Sequence, residues 1–153
     1  VINNTDPKIV YKGDWIYNQK ALVSFNRDEH FSAKKGDFAE FTFTGSGISV
    51  LGTKNANLGY ADIFLDGEKI YTLDGYADRL KEPGISTSAH STQYLSEYLN
   101  YVIPEKQELY SVAGLSNGPH TIKVLVTGTK HDGASDYGVA IDAFEISSCM
   151  NEK

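Results

Sequence analysis

The sequence predicts an all-β protein, an antiparallel β-sandwich or jelly roll, and three observations lead there. Short segments of alternating apolar and polar residues recur along most of the chain. Gly, Asp-Gly and Asn-Gly turn signals separate them at roughly ten-residue spacing. Helical periodicity is nearly absent.

The segments follow in order. Phe38 to Phe43 alternates, with Ala39, Phe41 and Phe43 on one face and Glu40 and Thr42 on the other. Gly45-Ser46-Gly47 turns the chain into a second strand from Ile48 to Gly52. Tyr60 to Leu65 is a third, with Ala61, Ile63 and Leu65 inward and Asp62 outward. Asp66-Gly67 supplies the two positive-φ residues that a two-residue hairpin prefers, returning the chain along Lys69 to Leu73. Leu109 to Ala113 precedes the turn signal Ser116-Asn117-Gly118. His120 to Thr127 sets Ile122, Val124 and Val126 against Thr121, Lys123 and Thr127, and Val139 to Ile146 closes the sheet. Ile9 to Tyr11, Asp14 to Tyr17 and Glu29 to Ser32 are shorter strands upstream. One helix is expected, from Thr92 as N-cap to Tyr101, with Leu95, Tyr98 and Leu99 as its apolar residues.

Composition restricts the function. The 153 residues suit one domain with a core of its own. A net charge of -6 and the lack of a basic run argue against nucleic acid or an anionic membrane as partner. Apolar stretches are only a few residues long, so neither a membrane span nor a signal peptide is expected, and an exported protein would be represented by its mature fragment. Cys149 is the single cysteine, which rules out an internal disulfide and a thiolate metal cluster.

Antiparallel connections reverse the chain, so alternate connections lie at opposite ends of the sandwich. The turns at 45–47, 66–67 and 114–119 are thereby assigned to one end. The segments 53–59, 75–108 and 128–138, with the turn at 34–36, are assigned to the other. All the long loops then share one rim, the usual place for binding residues on a rigid scaffold. They carry Lys54, Asn55 and Asn57, then Tyr76, Arg79, His90, Tyr94, Tyr98 and Tyr101, then Lys130, His131, Asp132, Asp136 and Tyr137. Amides, carboxylates and cations that hydrogen-bond hydroxyls, beside flat aromatic faces that cover sugar C–H groups, form the inventory of a carbohydrate site. Asn55, Asn57, Tyr76, Arg79, Tyr94, Tyr98, His131, Asp132, Asp136 and Tyr137 are the predicted sugar contacts. The same residue types also make turns and cover the edges of cores, the plainer role for any one of them.

The run HFSAKKGDFAEFTFTGSGISVLG, the hairpin G-x-A-D-x-x-x-D-G of GYADIFLDG, the strand G-x-H-T-I-K-V-x-V-T-G of GPHTIKVLVTG, and VAIDAFEI together resemble the galactose-binding-like jelly-roll modules appended to secreted bacterial glycoside hydrolases. The resemblance covers residues 9 to 147. It implies a noncatalytic, secreted or cell-surface carbohydrate-binding module, one β-sandwich over 1–153 belonging to a larger multimodular protein. Its implied partners are a glycan and other domains of the same chain. It also implies one structural calcium ion, for which Asp142 matches an acidic residue of the last strand that often ligates the ion. The N-terminus VINNTDPKIVY offers Asn3, Asn4 and Asp6 but lacks the paired acidic residues of related first strands, leaving Asp6 as the second metal candidate. In the competing reading, Asp142 accepts backbone hydrogen bonds near a strand end.

Trp15, the single tryptophan, is expected to plug the core rather than form an exposed sugar platform. No metalloprotease, nucleophile-elbow, P-loop or cysteine-nucleophile signature is present. Asp62 and Asp66 share a strand face, but at roughly 3.3 Å per residue they sit about 13 Å apart. That exceeds the span of about 5 to 9.5 Å for glycosidase carboxylates. His120 reads as structural and His131 as the functional histidine. The rival to carbohydrate binding is a protein-interaction or architectural module that docks another domain through its rim or a sheet face.

Overall fold

A computed structural model describes residues 1–18, 28–52, 54–77 and 108–147. The strands are β1 (Ile2–Asn3), β2 (Ile9–Lys12), β3 (Ile16–Asn18), β4 (Glu29–Ser32), β5 (Phe38–Gly45), β6 (Gly47–Leu51), β7 (Tyr60–Leu65), β8 (Glu68–Asp74), β9 (Glu108–Val112), β10 (Gly118–Val126), β11 (Val139–Ile141) and β12 (Ala143–Ser147). They form a five-stranded sheet ordered β2-β5-β10-β7-β8, a four-stranded sheet ordered β1-β12-β6-β9, and a small sheet ordered β11-β4-β3. Every pairing between these strands is antiparallel. The described residues contain no helix, and the helix expected at Thr92 to Tyr101 lies outside them.

Alternation explains the core. Ala39, Phe41 and Phe43 of β5, Ile63 of β7, and Ile122, Val124 and Val126 of β10 point inward and are buried. They meet Ile48 and Val50 of β6 and Phe144 of β12 from the opposing sheet. The Phe41 and Phe144 rings stack across the gap with centroids 5.4 Å apart. Phe144 is fully buried, and covering such a ring contributes about 2 to 3 kcal/mol. Trp15 is only partly buried; it packs on the core margin and against Tyr11, and its Nε1 donates to the Lys12 carbonyl at 3.0 Å. It is neither the central plug expected nor a free platform.

Three details differ from the expected strands. The segment from Val139 to Ile146 is two strands that enter different sheets, with the break at Asp142. There the Asp142 N–H donates to the Leu51 carbonyl and the Asp142 carbonyl accepts the Asn4 N–H, so the backbone turns from one layer into the other without orphaning either group. The reversal before β10 is spread over 113–117, with the left-handed residue at Gly114 (φ 76°) rather than at Asn117-Gly118. β1 has no alternation to announce it, because it is two residues long. The Asp66-Gly67 hairpin is as expected, with φ of 52° and 88°.

The two ends separate as the reversal count requires. At one end, Leu115 donates to the Ser46 carbonyl, Ser46 to the Ser147 carbonyl, and Asp66 to the Thr121 carbonyl. At the other, Asn55 donates to Gly75, Gly59 to Gly138, Tyr60 to Thr129, and Gly36 to Val126.

Candidate functional site

Three loop segments, 54–59, 75–77 and 127–138, are knitted into one rim by backbone hydrogen bonds. Besides those above, Ala77 donates to the Asn55 carbonyl (3.1 Å), Ser135 to the Ala56 carbonyl (2.8 Å) and Gly138 to the Asn57 carbonyl (3.1 Å). Leu58 and Ala134 are buried beneath the loops and anchor them to the sandwich. The exposed side chains are therefore carried on a fixed backbone.

His131 is exposed and lies flat on the half-buried Tyr76 ring, with centroids 4.7 Å apart and an interplanar angle of 4°. Its Nδ1 accepts the Gly133 N–H at 3.2 Å, which leaves the ring proton on Nε2 as a donor. Tyr137 is 40% exposed, and the Lys130 ammonium lies 5.6 Å from its ring centre. The exposed Asn55 uses Oδ1 to accept the Ala56 N–H at 2.8 Å, while Asp136 accepts the Tyr137 N–H at 2.8 Å. Asn57 and Asp132 are exposed on the same loops. The structure thus brings Asn55, Asn57, Tyr76, His131, Asp132, Asp136 and Tyr137 onto one rim. Arg79, Tyr94 and Tyr98 lie outside the described residues. This surface can offer ring faces and short-range hydrogen-bonding groups.

At the opposite end, folding assembles a trio that the sequence does not reveal. His120 Nδ1 is 2.7 Å from Asp66 Oδ2, and its Nε2 is 3.5 Å from Ser116 Oγ. The same Nε2 is only 2.7 Å from the Ser116 carbonyl oxygen, so it carries a proton that it donates there. An acceptor at each nitrogen favours the charged imidazole, and with Nε2 turned to the Ser116 carbonyl the ring presents no free lone pair to Ser116 Oγ. The His120 pKa is raised, first by the Asp66 hydrogen bond and then by the Ser116 carbonyl; that of Asp66 is lowered, first by His120 and then by the Thr121 N–H. His120 is a structural clasp between the hairpin and β10, as the sequence suggested. Asp62 of β7 accepts the Thr72 hydroxyl at 2.8 Å and pairs with Lys69 at 3.5 Å.

A polar cluster at the N-terminal edge also escaped the sequence reading. Asn4 is fully buried and Asp28 nearly so. Asn4 Nδ2 donates to Asp28 Oδ1 (2.8 Å) and to the Asp142 carbonyl (2.9 Å), and Asn4 Oδ1 faces His30 Nδ1 at 2.7 Å. Tyr17 donates its hydroxyl to Asp28 Oδ2, and Tyr11 donates to the Asn4 carbonyl, both at 2.8 Å. His30 stacks on Tyr11 with centroids 4.0 Å apart. Burial lowers the His30 pKa, the Asp28 charge opposing it, and burial pushes the Tyr11 phenol far above its ordinary range, with Asp28 adding to the effect. The contributors are scattered from residue 4 to residue 142, so no local spacing could have revealed them.

The two metal candidates part company. Asp142 is buried at the strand break, whereas Asp6 caps a turn, its Oδ1 accepting the Lys8 N–H at 2.9 Å. Among the described residues no three His, Cys, Asp or Glu side chains converge as a metal cage. The backbone carbonyl at the break accepts two N–H groups from Asn4.

No protein-family profile matches the chain, and neither does any curated protein sequence. Solved structures do match. The CBM36-1 domain of a multidomain xylanase from the hindgut metagenome of Trinervitermes trinervoides aligns with a TM-score of 0.51 at 15% identity, covering 94% of this chain and 91% of that one. A family two carbohydrate esterase from Cellvibrio japonicus aligns at 0.58 and 13% identity, covering 96% of this chain and 32% of that one. A two-domain esterase active on acetylated mannans, co-crystallized with mannopentaose, aligns at 0.58 and 19% identity, covering 95% and 35%. The chain spans about a third or less of the enzymes it matches. At these identities the likeness shows the fold alone: the chain is an antiparallel jelly-roll β-sandwich.

Proposed function

We propose that this chain is a noncatalytic carbohydrate-binding module of a secreted or cell-surface protein, holding its parent protein at a glycan through the loop rim. The observation that carries the reading is the rim itself. A flat His131–Tyr76 stack and an exposed Tyr137 stand on interlocked loops beside Asn55, Asn57, Asp132 and Asp136. Rigid ring faces lose little entropy on binding, and the neighbouring amides and carboxylates suit hydroxyl groups. Arg79, Tyr94 and Tyr98 belong to the same proposed site by their position in the 75–108 connection. The full-length alignment to a CBM36 domain supports the reading, because that domain is comparable in extent to this chain.

A glycan array probed with the 153-residue chain, and repeated with the 75–108 connection shortened, tests it. Retention of one glycan class, lost on shortening or on His131→Ala, is the expected result; no retention on any glycan rejects the reading. That outcome would favour docking on another domain. The observation behind this second reading is β3, where Ile16 is 63% and Tyr17 42% exposed on an edge strand.

A further inference from the structure

We propose that Tyr76 is a positioning residue of the rim: it seats the His131 ring while Gly133 fixes which nitrogen carries the proton, so that a glycan meets one outer imidazole face and one Nε2–H donor. The proposal rests on the carbohydrate reading and gives the two stacked rings different tasks.

The turn that carries His131 is built locally. The Ala134 N–H donates to the His131 carbonyl at 2.9 Å, which leaves Asp132 and Gly133 as the central residues, and the buried Ala134 pins the turn to the sandwich. Within that turn the Gly133 N–H comes back to the first side chain and donates to His131 Nδ1 at 3.2 Å. A ring nitrogen that accepts a hydrogen bond carries no proton itself, so the neutral ring is the Nε2–H tautomer. Gly133 is outside the left-handed region, so its backbone conformation does not demand a glycine. Space does. A Cβ at 133 would lie 2.8 Å from the Tyr76 hydroxyl oxygen and 3.1 Å from the ring carbon that bears it.

Tyr76 is held from its own side. Its N–H donates to Asp74 Oδ1 at 3.0 Å, and its backbone bridges to Asn55 of the neighbouring loop. The ring is half-buried, its hydroxyl end abuts Gly133, and one of its faces is covered by the imidazole at 4.7 Å. His131 is the exposed member of the pair. Ordering a mobile side chain on binding weakens affinity, and here the stack and the Gly133 hydrogen bond have ordered it beforehand. The arrangement suits a sugar whose C–H face lies on the imidazole and whose hydroxyl or acetal oxygen accepts from Nε2.

The test is a double-mutant cycle on the whole chain, Gly133→Ala against Tyr76→Phe. It is read by imidazole nitrogen NMR at about pH 8.5, where an ordinary imidazole is neutral, and by retention on the glycan array. The His131 signals are those lost in His131→Gln. In wild type they should show the Nε2–H tautomer and an upfield ring-current shift from Tyr76. Gly133→Ala should lose both and weaken retention by about 3- to 10-fold, as expected when one side chain must be ordered on binding. In the Tyr76→Phe background the added methyl no longer meets the hydroxyl. There the same substitution should preserve tautomer and shift, and change retention by less than about twofold relative to Tyr76→Phe alone. A Gly133→Ala chain that folds only together with Tyr76→Phe gives the same answer. An Nδ1–H tautomer in wild type overturns the proposal without any variant. So do Gly133→Ala effects that are equal in the two backgrounds, failure to fold included. If the array retains no glycan, the carbohydrate reading falls, and the NMR cycle still decides whether Tyr76 and Gly133 position the ring.

Discussion

Tyr137→Ala is the perturbation that bears most directly on the rim. The ring is 40% exposed, so of about 200 Å² for a tyrosine side chain about 80 Å² is open to a ligand. Covering that area at about 25 cal/mol per Å² is worth about 2 kcal/mol. Truncation should therefore weaken binding of the glycan identified on the array by about 30-fold, as measured by isothermal titration calorimetry. The fold should be nearly indifferent, because the Tyr137 side chain stands at the surface and its Lys130 contact is a single cation over the ring; the unfolding free energy should move by no more than about 0.5 kcal/mol. A Tyr137→Ala protein that melts like wild type and binds within twofold of it refutes the argument that this ring carries the affinity.

Three further outcomes concern stability. Phe144→Ala removes a fully buried ring stacked on Phe41 and should cost about 3 to 5 kcal/mol in a urea titration. Gly13→Ala forces an L residue to φ 112° and drives its Cβ into the Asp37 carboxylate, which holds the Asp14 N–H at 2.8 Å and the Ser32 hydroxyl at 2.7 Å. We expect a loss of about 3 kcal/mol and a melting temperature lower by about 6 to 12 °C; an unchanged melt would show that the 13–14 turn shifts freely. The His120–Asp66 clasp should make stability depend on pH in both directions. The raised His120 pKa contributes stability that is complete below the ordinary imidazole value of about 6.5 and is lost as pH climbs through the higher folded value. The lowered Asp66 pKa contributes stability present above about 3.9 and lost as pH falls through the lower folded value. The melting difference between wild type and His120→Gln should accordingly be widest from about pH 4 to 6.5 and shrink above neutrality. A difference that grows toward pH 9 would contradict the assigned charge state.

The sandwich was legible because its signals are local. Ala39, Phe41 and Phe43 announce a face by period alone, and Asp66-Gly67 announces a hairpin by backbone preference alone. The separation of rim from quiet end was legible too, since it needs only the count of reversals. The Asp142 break was not, because residues 139–144 are buried on both faces and a doubly buried strand shows no alternation to interrupt. Pairings between distant residues were equally hidden. Tyr76 and His131 each read as an aromatic or polar loop residue, and only the bridge of Asn55 to Tyr76 and the bond from Ser135 to Ala56 bring their loops together. The Asn4 cluster is hidden for the same reason: in sequence Asn4 is only one of the polar residues that the N-terminal segment offers a metal, and its partners Asp28, His30 and Asp142 lie far from it along the chain.

The place of β1 has a mechanical consequence. It lies antiparallel to β12 with Ile2 opposite Phe144, so the backbone leaves residue 1 and residue 147 in the same direction. Tension between those points would peel β1 away one rung at a time instead of shearing all its bonds together, and two residues offer little resistance. Load would then fall on Asn4, whose grip on Asp142 and Asp28 is the first buried latch the pull meets. In a protein tethered at one end and bound to a fixed polymer at the other, that amide would determine how much force the edge withstands before the last strand is exposed.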